Sequence, residues 1–230
     1  MIETFSIYNI VGIGVALAML IVGSIIDIWK REIHDYYWLG FGIIGVLLVI
    51  INPDIFAHLL NIGIALIIAP FVIFVWRIGL FGGADAFALI TLAVIAPLAT
   101  FSQNPVTPFT SLANAIILFM IPFILNIFRN LVSMAKHENI FEGFKENRMK
   151  KICVMFLGYR AKNPKFCFSM EKIQNGEKKL NITIHHAENE EYCTKPDTWI
   201  TPGMPYLLLI TGGFIIQLGW GDVLLSLFVK

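Results

Sequence analysis

The chain has 230 residues, of which 57% are hydrophobic and only 14% are charged, and its formal net charge is +1. Soluble domains carry roughly 45–50% apolar and about 25% charged residues, so this composition is typical of a protein that crosses a membrane several times. The sequence has no basic stripe with interleaved aromatic residues, and we therefore expect no nucleic-acid partner.

Six apolar segments are long enough to cross a bilayer as helices, which takes about 17–25 residues. The sequence therefore predicts a polytopic α-helical membrane protein with six transmembrane helices. A polar insert, residues 137–202, separates five helices within residues 1–136 from the sixth helix within residues 203–230. The predicted spans cover residues 8–28, 36–53, 57–76, 84–100, 110–135 and 204–228.

Basic residues are distributed unequally between the two sides of this predicted bundle. Each loop on one side carries Lys or Arg, whereas the other side has only Lys230. Basic loops remain in the cytoplasm, which predicts that both termini are outside and that the polar insert is cytosolic. The residues that set this orientation are Lys30, Arg31, Arg77, Arg129, Lys136 and eleven more between Lys145 and Lys195.

Two aspartates lie at the ends of predicted helices on the cytoplasmic side. Asp27 closes the first apolar segment, and Asp85 opens the fourth, directly after Gly82, Gly83 and Ala84. An ionised side chain costs about 2.5–3.5 kcal/mol at the centre of a membrane helix and less near the interface, so a pair at matched depth suggests a function. Each residue also has a structural interpretation, since Asp27 can mark the interface and Asp85 can cap its helix.

Two adjacent carboxyl groups cannot both ionise, and the pair therefore holds one proton. The ionised partner can act as a base toward water while the protonated partner polarises a peptide carbonyl, as in aspartic proteases. This chemistry needs neither a metal nor a cofactor, and we expect none. The glycines before Asp85 predict a hinge that closes the site on its substrate.

The residues around both aspartates resemble known motifs. The run Gly82-Gly83-Ala84-Asp85 resembles the G-x-G-D signature of membrane aspartyl proteases, with alanine in place of the second glycine. The run from Asp27 to Asp35 resembles the D-x-x-x-R-x-I-x-D/N run of prepilin and preflagellin peptidases. With six helices and one cytosolic insert, the resemblance covers essentially the whole chain and indicates the archaeal preflagellin (prearchaellin) peptidases, relatives of the type IV prepilin peptidases.

This resemblance implies a membrane aspartyl endopeptidase that cleaves the short basic leader from archaellin (preflagellin) precursors at the cytoplasmic membrane face. Asp27 and Asp85 would be the catalytic pair. By their charge and their place close to Asp27, Glu32 and Asp35 are candidates to contact a basic leader, and either is also a candidate third acid. The precursor and membrane lipid are the expected partners. The chain has no C-x-x-C pair like those of many bacterial prepilin peptidases, which argues against zinc. Two alternatives remain open: a prepilin peptidase acting on type IV pilin-like precursors and, in a different class, a proton-coupled membrane transporter.

A second motif matches G-x-G-D literally. The run Gly219-Trp220-Gly221-Asp222 has both glycines, but the predicted topology puts Asp222 in the outer half of the sixth span, far in depth from Asp27. We therefore expect a structural role for Asp222. The histidines have no metal-ligand partner at a useful spacing, and we expect no metal site.

The polar insert is predicted to be a small antiparallel β domain. Residues Lys151–Arg160 have the composition of a strand, and Phe141–Met149 has the pattern of an interfacial helix. The segments Lys165–Ile173 and Lys179–His186 flank Asn175-Gly176, which is typical of a hairpin with a type I′ turn. No catalytic motif lies in the insert, so its expected role is substrate docking or structural support.

Overall fold

The computed structural model describes residues 7–101, 106–174, 176–182 and 191–228. These residues are mostly helical, with a small amount of antiparallel sheet. The chain forms two compact units, which are Met1–Leu118 together with Pro205–Lys230, and Phe119–Met204.

The first unit consists of apolar helices joined by short turns. Its elements are α1 (Ile7–Lys30), α2 (Asp35–Ile50), α3 (Ile55–Ala65), α4 (Ile68–Arg77), α5 (Gly83–Ile95), the beginning of α6 (Pro108–Ala135), α8 (Tyr206–Trp220) and α9 (Val223–Phe228). Runs of Leu, Ile and Ala favour these helices, and Gly and Pro occur mainly where helices pack closely or end.

Three apolar helices have the length and composition needed to cross a membrane: α1, the 23-residue helix formed by α3 and α4, and α6. Three shorter apolar helices, α2, α5 and α8, complete the set of six segments found in the sequence. The structure therefore confirms a mostly helical protein with three helices long and apolar enough to cross a membrane, while the crossing of the bilayer by all six segments stays a prediction. The bend between α3 and α4 follows from Pro70, which has no N–H for the carbonyl of Leu66; the amide of Ala69 bonds that carbonyl instead.

Helix α5 lies at the centre of the first unit, in contact with α1, α2, α3, α4 and α8. Its 13 residues are about 20 Å long, which is shorter than the hydrocarbon core of about 30 Å. Small side chains let the neighbouring helices approach it closely. The residues buried along it are Asp85, Ala86, Ala88, Leu89, Thr91, Leu92, Ala93 and Ile95.

Close contacts at two glycines show how α1 runs past its neighbours. A Cβ at Gly12, near the start of α1, would lie 2.8 Å from the carbonyl oxygen of Ile95 at the end of α5. A Cβ at Gly23, near the other end of α1, would lie 2.9 Å from Cδ2 of Leu207 at the start of α8. Helix α1 is therefore antiparallel to both α5 and α8.

In its described residues, the second unit contains the end of α6, the helix α7 (Arg148–Leu157) and five short strands. Strands β1 (Tyr159–Ala161), β5 (Thr198–Pro202) and β2 (Cys167–Ser169) form an antiparallel sheet in that order, and β3 (Glu171–Gln174) pairs with β4 (Glu177–Leu180). Trp199 of β5 is fully buried, and its indole N–H donates to the carbonyl oxygen of Ile140 at 2.7 Å. Phe141 stacks on the same indole.

Two predictions for this segment are wrong. Residues Lys151–Arg160 are not a strand, because α7 runs to Leu157 and only its continuation, from Tyr159, is extended. The side chain of Asn147 caps α7 by accepting a hydrogen bond from the amide of Lys150 at 2.7 Å. The buried residue of this helix is Val154. The predicted helix over Phe141–Met149 is replaced by a turn that ends where α7 begins.

The predicted hairpin turn is present, since Gln174 pairs with Glu177 across a two-residue connection. The predicted first strand, Lys165–Ile173, is instead divided between β2 and β3, which belong to different sheets. Gly176 has a φ of 76°, as a tight turn of this kind requires. The turn type depends on Asn175, and the predicted extension of the second strand covers residues 183–186; both lie outside the described residues. The insert therefore has a three-stranded sheet and a separate hairpin, where the sequence predicted one small sheet.

Candidate active site

Asp27 lies in the last turn of α1, with its side chain partly buried. The helix ends just after it, because Arg31 adopts a left-handed φ of 58° and its amide bonds to the Asp27 carbonyl oxygen at 3.0 Å. Arg31 is four residues beyond Asp27, the spacing that brings two side chains together on a helix, and the two charges interact. Asp27 therefore has a basic neighbour from the same predicted motif.

Asp85 is the third residue of α5 and is buried, with 7% of its surface exposed. Its Oδ2 accepts a hydrogen bond from the amide of Gly82 at 3.2 Å, which is half of a capping box because glycine has no side chain to complete the other half. The structural interpretation of Asp85 as a helix cap is therefore correct. The same hydrogen bond holds the carboxylate in a defined orientation.

The three residues before Asp85 have different environments. Gly82 is the N-cap of α5, with φ of −74° and ψ of 158°. Gly83 is already helical, and a Cβ there would lie 3.0–3.2 Å from the indole ring of Trp76. Ala84 is helical without a positive φ, so alanine at this place of the G-x-G-D pattern causes no backbone strain.

Asp27 and Asp85 lie toward the same end of the first unit. Counted from the contact between Gly12 and Ile95, Asp27 is about 22 Å along α1 and Asp85 is about 15 Å along α5 in the same direction. A second contact supports this alignment, since the side chain of Gln217, late in α8, donates to the carbonyl oxygen of Ala99 just beyond α5 at 2.9 Å. By this count the two aspartates differ in depth by about 7 Å, which is between one and two helical turns.

The beginning of α8 packs against the end of α1 that bears Asp27. Ser24, one turn before Asp27, hydrogen-bonds the buried hydroxyl of Thr211 at 2.7 Å. Tyr206, in the first turn of α8, is near enough to Asp85 for the two groups to interact electrostatically. Sequence reasoning missed Tyr206, because tyrosines at the ends of membrane helices are common as interfacial anchors and nothing in the pattern distinguished this one.

The acidic residues expected to contact a basic leader are exposed. Glu32 follows α1, and Asp35 is the first residue of α2, where its charge favours the helix N-terminus. Ile33 between them packs against the core of the first unit. The run after α1 therefore has an apolar anchor and two acidic side chains open to solvent.

Asp222 lies at the opposite end of the first unit. Gly221 ends α8 with a φ of 72°, and Oδ1 of Asp222 then accepts from the amide of Leu225 at 2.8 Å, which caps α9. The literal G-x-G-D match is thus a helix break followed by an N-cap. It also shows why the sixth predicted span is interrupted at this point.

Within the four described ranges, no group of three or more His, Cys, Asp or Glu residues is arranged to hold a metal ion. The three cysteines are free and lie in the second unit. Burial raises the pKa of the Cys167 thiol to about 11, with a further contribution from Cys193 beside it. Cys153 is exposed.

The sequence is similar to curated archaeal proteins along nearly its whole length. A preflagellin peptidase of Methanococcus maripaludis is 26% identical, with 91% of this chain and 95% of that protein aligned. Preflagellin peptidases of Methanocaldococcus jannaschii and Methanococcus voltae are 24% and 25% identical, over 92% and 94% of this chain and 94% and 97% of theirs. No family model matches the sequence. The alignments cover both units, and they support the resemblance to preflagellin peptidases that the motifs indicate.

Proposed function

We propose that this protein is a membrane aspartyl endopeptidase that removes the short basic leader from archaellin precursors, with Asp27 and Asp85 as its acid/base pair. One observation carries the proposal: antiparallel α1 and α5 each bear an aspartate toward the same end of the first unit. The substrate follows from the relatives, which are named preflagellin peptidases. Peptide hydrolysis by two carboxyl groups requires this arrangement of one acid and one base.

In the proposed reaction one aspartate is ionised and the other is protonated. The ionised carboxylate takes a proton from water, whose oxygen attacks the scissile carbonyl carbon, while the protonated partner hydrogen-bonds the carbonyl oxygen. The resulting gem-diol breaks its C–N bond as a proton passes to the leaving amine. The pair again holds one proton, and no covalent enzyme intermediate forms.

The proposed location of this chemistry is the cytoplasmic membrane face, with six spans, both termini outside and the β-containing insert in the cytosol. Charge supports this orientation. In the described part of the first unit, the Lys and Arg residues are Lys30, Arg31 and Arg77, and all three lie at the end that bears Asp27 and Asp85. Basic residues at one end of a bundle indicate the cytoplasmic side.

The hinge expected at Gly82, Gly83 and Ala84 is also part of the proposal. Since Gly83 and Ala84 are already helical, motion would be centred on Gly82 and the turn before it, where Gly79 has a φ of 75°. Movement of this turn would shift the start of α5, and with it Asp85, relative to α1. Substrate binding would then complete the pair.

The proposal is tested by incubating the purified protein, in detergent or vesicles, with an archaellin precursor and measuring the masses of the products. The wild type should release the intact leader, and Asp27→Asn or Asp85→Asn should each lower the rate by about 10²–10⁴-fold, because each removes one partner of the acid/base pair. Asp222→Asn is the matched control and should keep activity. Cleavage by either dyad variant at the wild-type rate would exclude that aspartate from the mechanism.

A further inference from the structure

Two of the three cysteines in the second unit are joined through their backbones. The amide of Cys193 donates a hydrogen bond to the carbonyl oxygen of Cys167, the first residue of β2, at 2.7 Å. Between neighbouring strands, residues joined by such a bond have Cα atoms about 5.5 Å apart. The Cα atoms of a disulfide are about 4.4–6.8 Å apart. The backbone therefore brings these two cysteines within the range that a disulfide bond requires.

Both cysteine side chains pack into the same small cluster. Cys167 is 2% exposed and lies with Ala161 of β1 and Ile200 of β5 in the interior of the three-stranded sheet. Cys193 packs against this cluster from the side and is partly exposed. The two sulfur atoms therefore lie on one face of β2.

An aromatic contact on the other face of β2 supports this placement. Phe168, the residue after Cys167, stacks its ring on Tyr192, the residue before Cys193, with 5.3 Å between the ring centroids. Successive side chains of an extended chain point to opposite faces. Because Phe168 and Tyr192 share one face, the two cysteines share the other.

The two thiols differ in their access to solvent. A reagent in water reaches the sulfur of Cys193 first, since Cys167 is buried and Cys193 is not. Burial also raises the pKa of the Cys167 thiol to about 11, and a protonated thiol is a weak nucleophile. Cys167 is therefore suited to react with a sulfur that is already beside it, where proximity compensates for low nucleophilicity.

We propose that Cys167 and Cys193 are a redox modification site, which forms a reversible disulfide in the presence of a low-molecular-weight disulfide. The thiolate of Cys193 attacks one sulfur of the reagent, whose S–S bond breaks, and one thiolate leaves. The Cys167 thiol then gives its proton to solvent, and its sulfur attacks Sγ of Cys193 and releases the second thiolate. Two cysteine thiols are oxidised to one disulfide, and the reagent is reduced to two thiols.

The disulfide would close a loop of residues 168–192, which contains the hairpin of β3 and β4. Closing a loop in this way restrains the opening of the segment. On the proposed cytoplasmic side, excess thiol keeps cysteines reduced, so the bond would form only under oxidising conditions. The bond does not depend on peptidase activity, and its test uses none.

The test uses the full-length Cys153→Ser variant in detergent, which retains only the two cysteines of interest. After treatment with oxidised glutathione, we expect the intact mass to fall by two hydrogen atoms and a cross-linked peptide to contain Cys167 and Cys193. Excess dithiothreitol should reverse both changes. In the folded protein the cross-link should form at least about 10-fold faster than in denaturant, because the fold holds the two sulfur atoms together.

Two single variants in the same background separate the steps. Cys167→Ser should stop the reaction with one glutathione bound to Cys193. Cys193→Ser should leave Cys167 unmodified in the folded protein, because its sulfur is buried. A glutathione adduct that persists on Cys193 while Cys167 is present would overturn the proposal. Equal rates of cross-linking in folded and denatured protein would overturn it as well.

Discussion

Asp85 shows how one residue can satisfy a structural and a chemical interpretation together. Its carboxylate caps α5 by accepting a hydrogen bond from the Gly82 amide. It is also a buried acid, and it lies toward the same end of the first unit as Asp27. The sequence was sufficient to single out both aspartates, because charged residues in apolar segments are conspicuous. It was not sufficient to show which helix ends pack together, because hydropathy carries no information about contacts between helices.

The exposed acids near Asp27 lead to a prediction about substrate binding. Glu32→Gln with Asp35→Asn should raise KM for a precursor with a basic leader and leave kcat nearly unchanged, because the charges act on binding at a distance from the reacting bond. The increase should shrink as ionic strength rises, which screens exposed charges. Steady-state kinetics at low and high salt measure both effects.

Asp54 provides the matched control for this change. It is an exposed acid in the turn between α2 and α3, at the other end of the first unit, and Asp54→Asn should leave KM unchanged. A double variant of Glu32 and Asp35 with wild-type KM at low salt would show that neither residue contacts the leader.

Glu146 is the residue in the second unit with the clearest pH dependence. Although burial raises its pKa, hydrogen bonds from Lys150 at 2.7 Å and the Leu180 amide at 2.9 Å, with the charge of Lys179, bring the pKa below its usual value near 4.5. A depressed pKa means that the ionised form stabilises the folded state above pH 4.5. That stabilisation is lost as the pH falls through the lower, folded-state pKa.

We therefore expect Glu146→Gln to weaken the second unit at neutral pH and to weaken it progressively less as the solution becomes more acidic. Hydrogen exchange at the Leu180 amide, which Glu146 binds, measures this directly. Lys145 and Glu177 form an exposed pair nearby, and Glu177→Gln is a control that should change little. A constant difference between wild type and Glu146→Gln across the acid range would contradict the assignment.

At the scale of elements, hydropathy predicted where the membrane helices lie but not all of their ends. The sixth segment breaks at Gly221, and the fourth ends at Ile95 because Pro97 follows two residues later. The strand predicted over Lys151–Arg160 failed for another reason. A short apolar run is compatible with a helix or a strand, and the hydrogen bond from the Lys150 amide to the Asn147 side chain favours the helix.

The packing of Trp76 on Gly83 leads to a prediction about α5. Gly83→Ala should destabilise the protein by about 1–3 kcal/mol, because the added methyl group would be within 3.2 Å of the indole ring. In the double variant Gly83→Ala with Trp76→Leu, the smaller leucine side chain leaves space for the added methyl group. We expect this variant to recover part of the lost stability. Thermal unfolding in detergent compares the single variants with the double variant.

Gly63 offers a control on a neighbouring helix, since a Cβ there would meet no other atom within 4 Å. Gly63→Ala should be neutral or slightly stabilising, as alanine favours helices over glycine. If Gly83→Ala were equally neutral, the indole would be free to move aside, and close packing would not explain this glycine.

At the scale of the whole molecule, charge and hydropathy agree on an orientation that a labelling experiment can test. In a variant without its native cysteines, Asp54→Cys should react with an impermeant thiol reagent added outside the cell. Leu80→Cys, in the turn before α5 and 62% exposed, should react only after the membrane is opened. The reverse pattern would put Asp27 and Asp85 on the outer side and would remove the basis for a cytoplasmic cleavage site.

The long separation along the chain between α1 and α8 has a consequence for biosynthesis. Ser24 and Thr211 are 187 positions apart in the chain but hydrogen-bond each other, so α1 through α5 leave the ribosome well before α8. Until α8 is made, α5 lacks one of the five helices that contact it. We therefore expect a nascent chain that lacks α8 to have no peptidase activity. Adding residues 205–230 as a separate segment to a chain ending at residue 204 should restore cleavage if the two associate in the membrane.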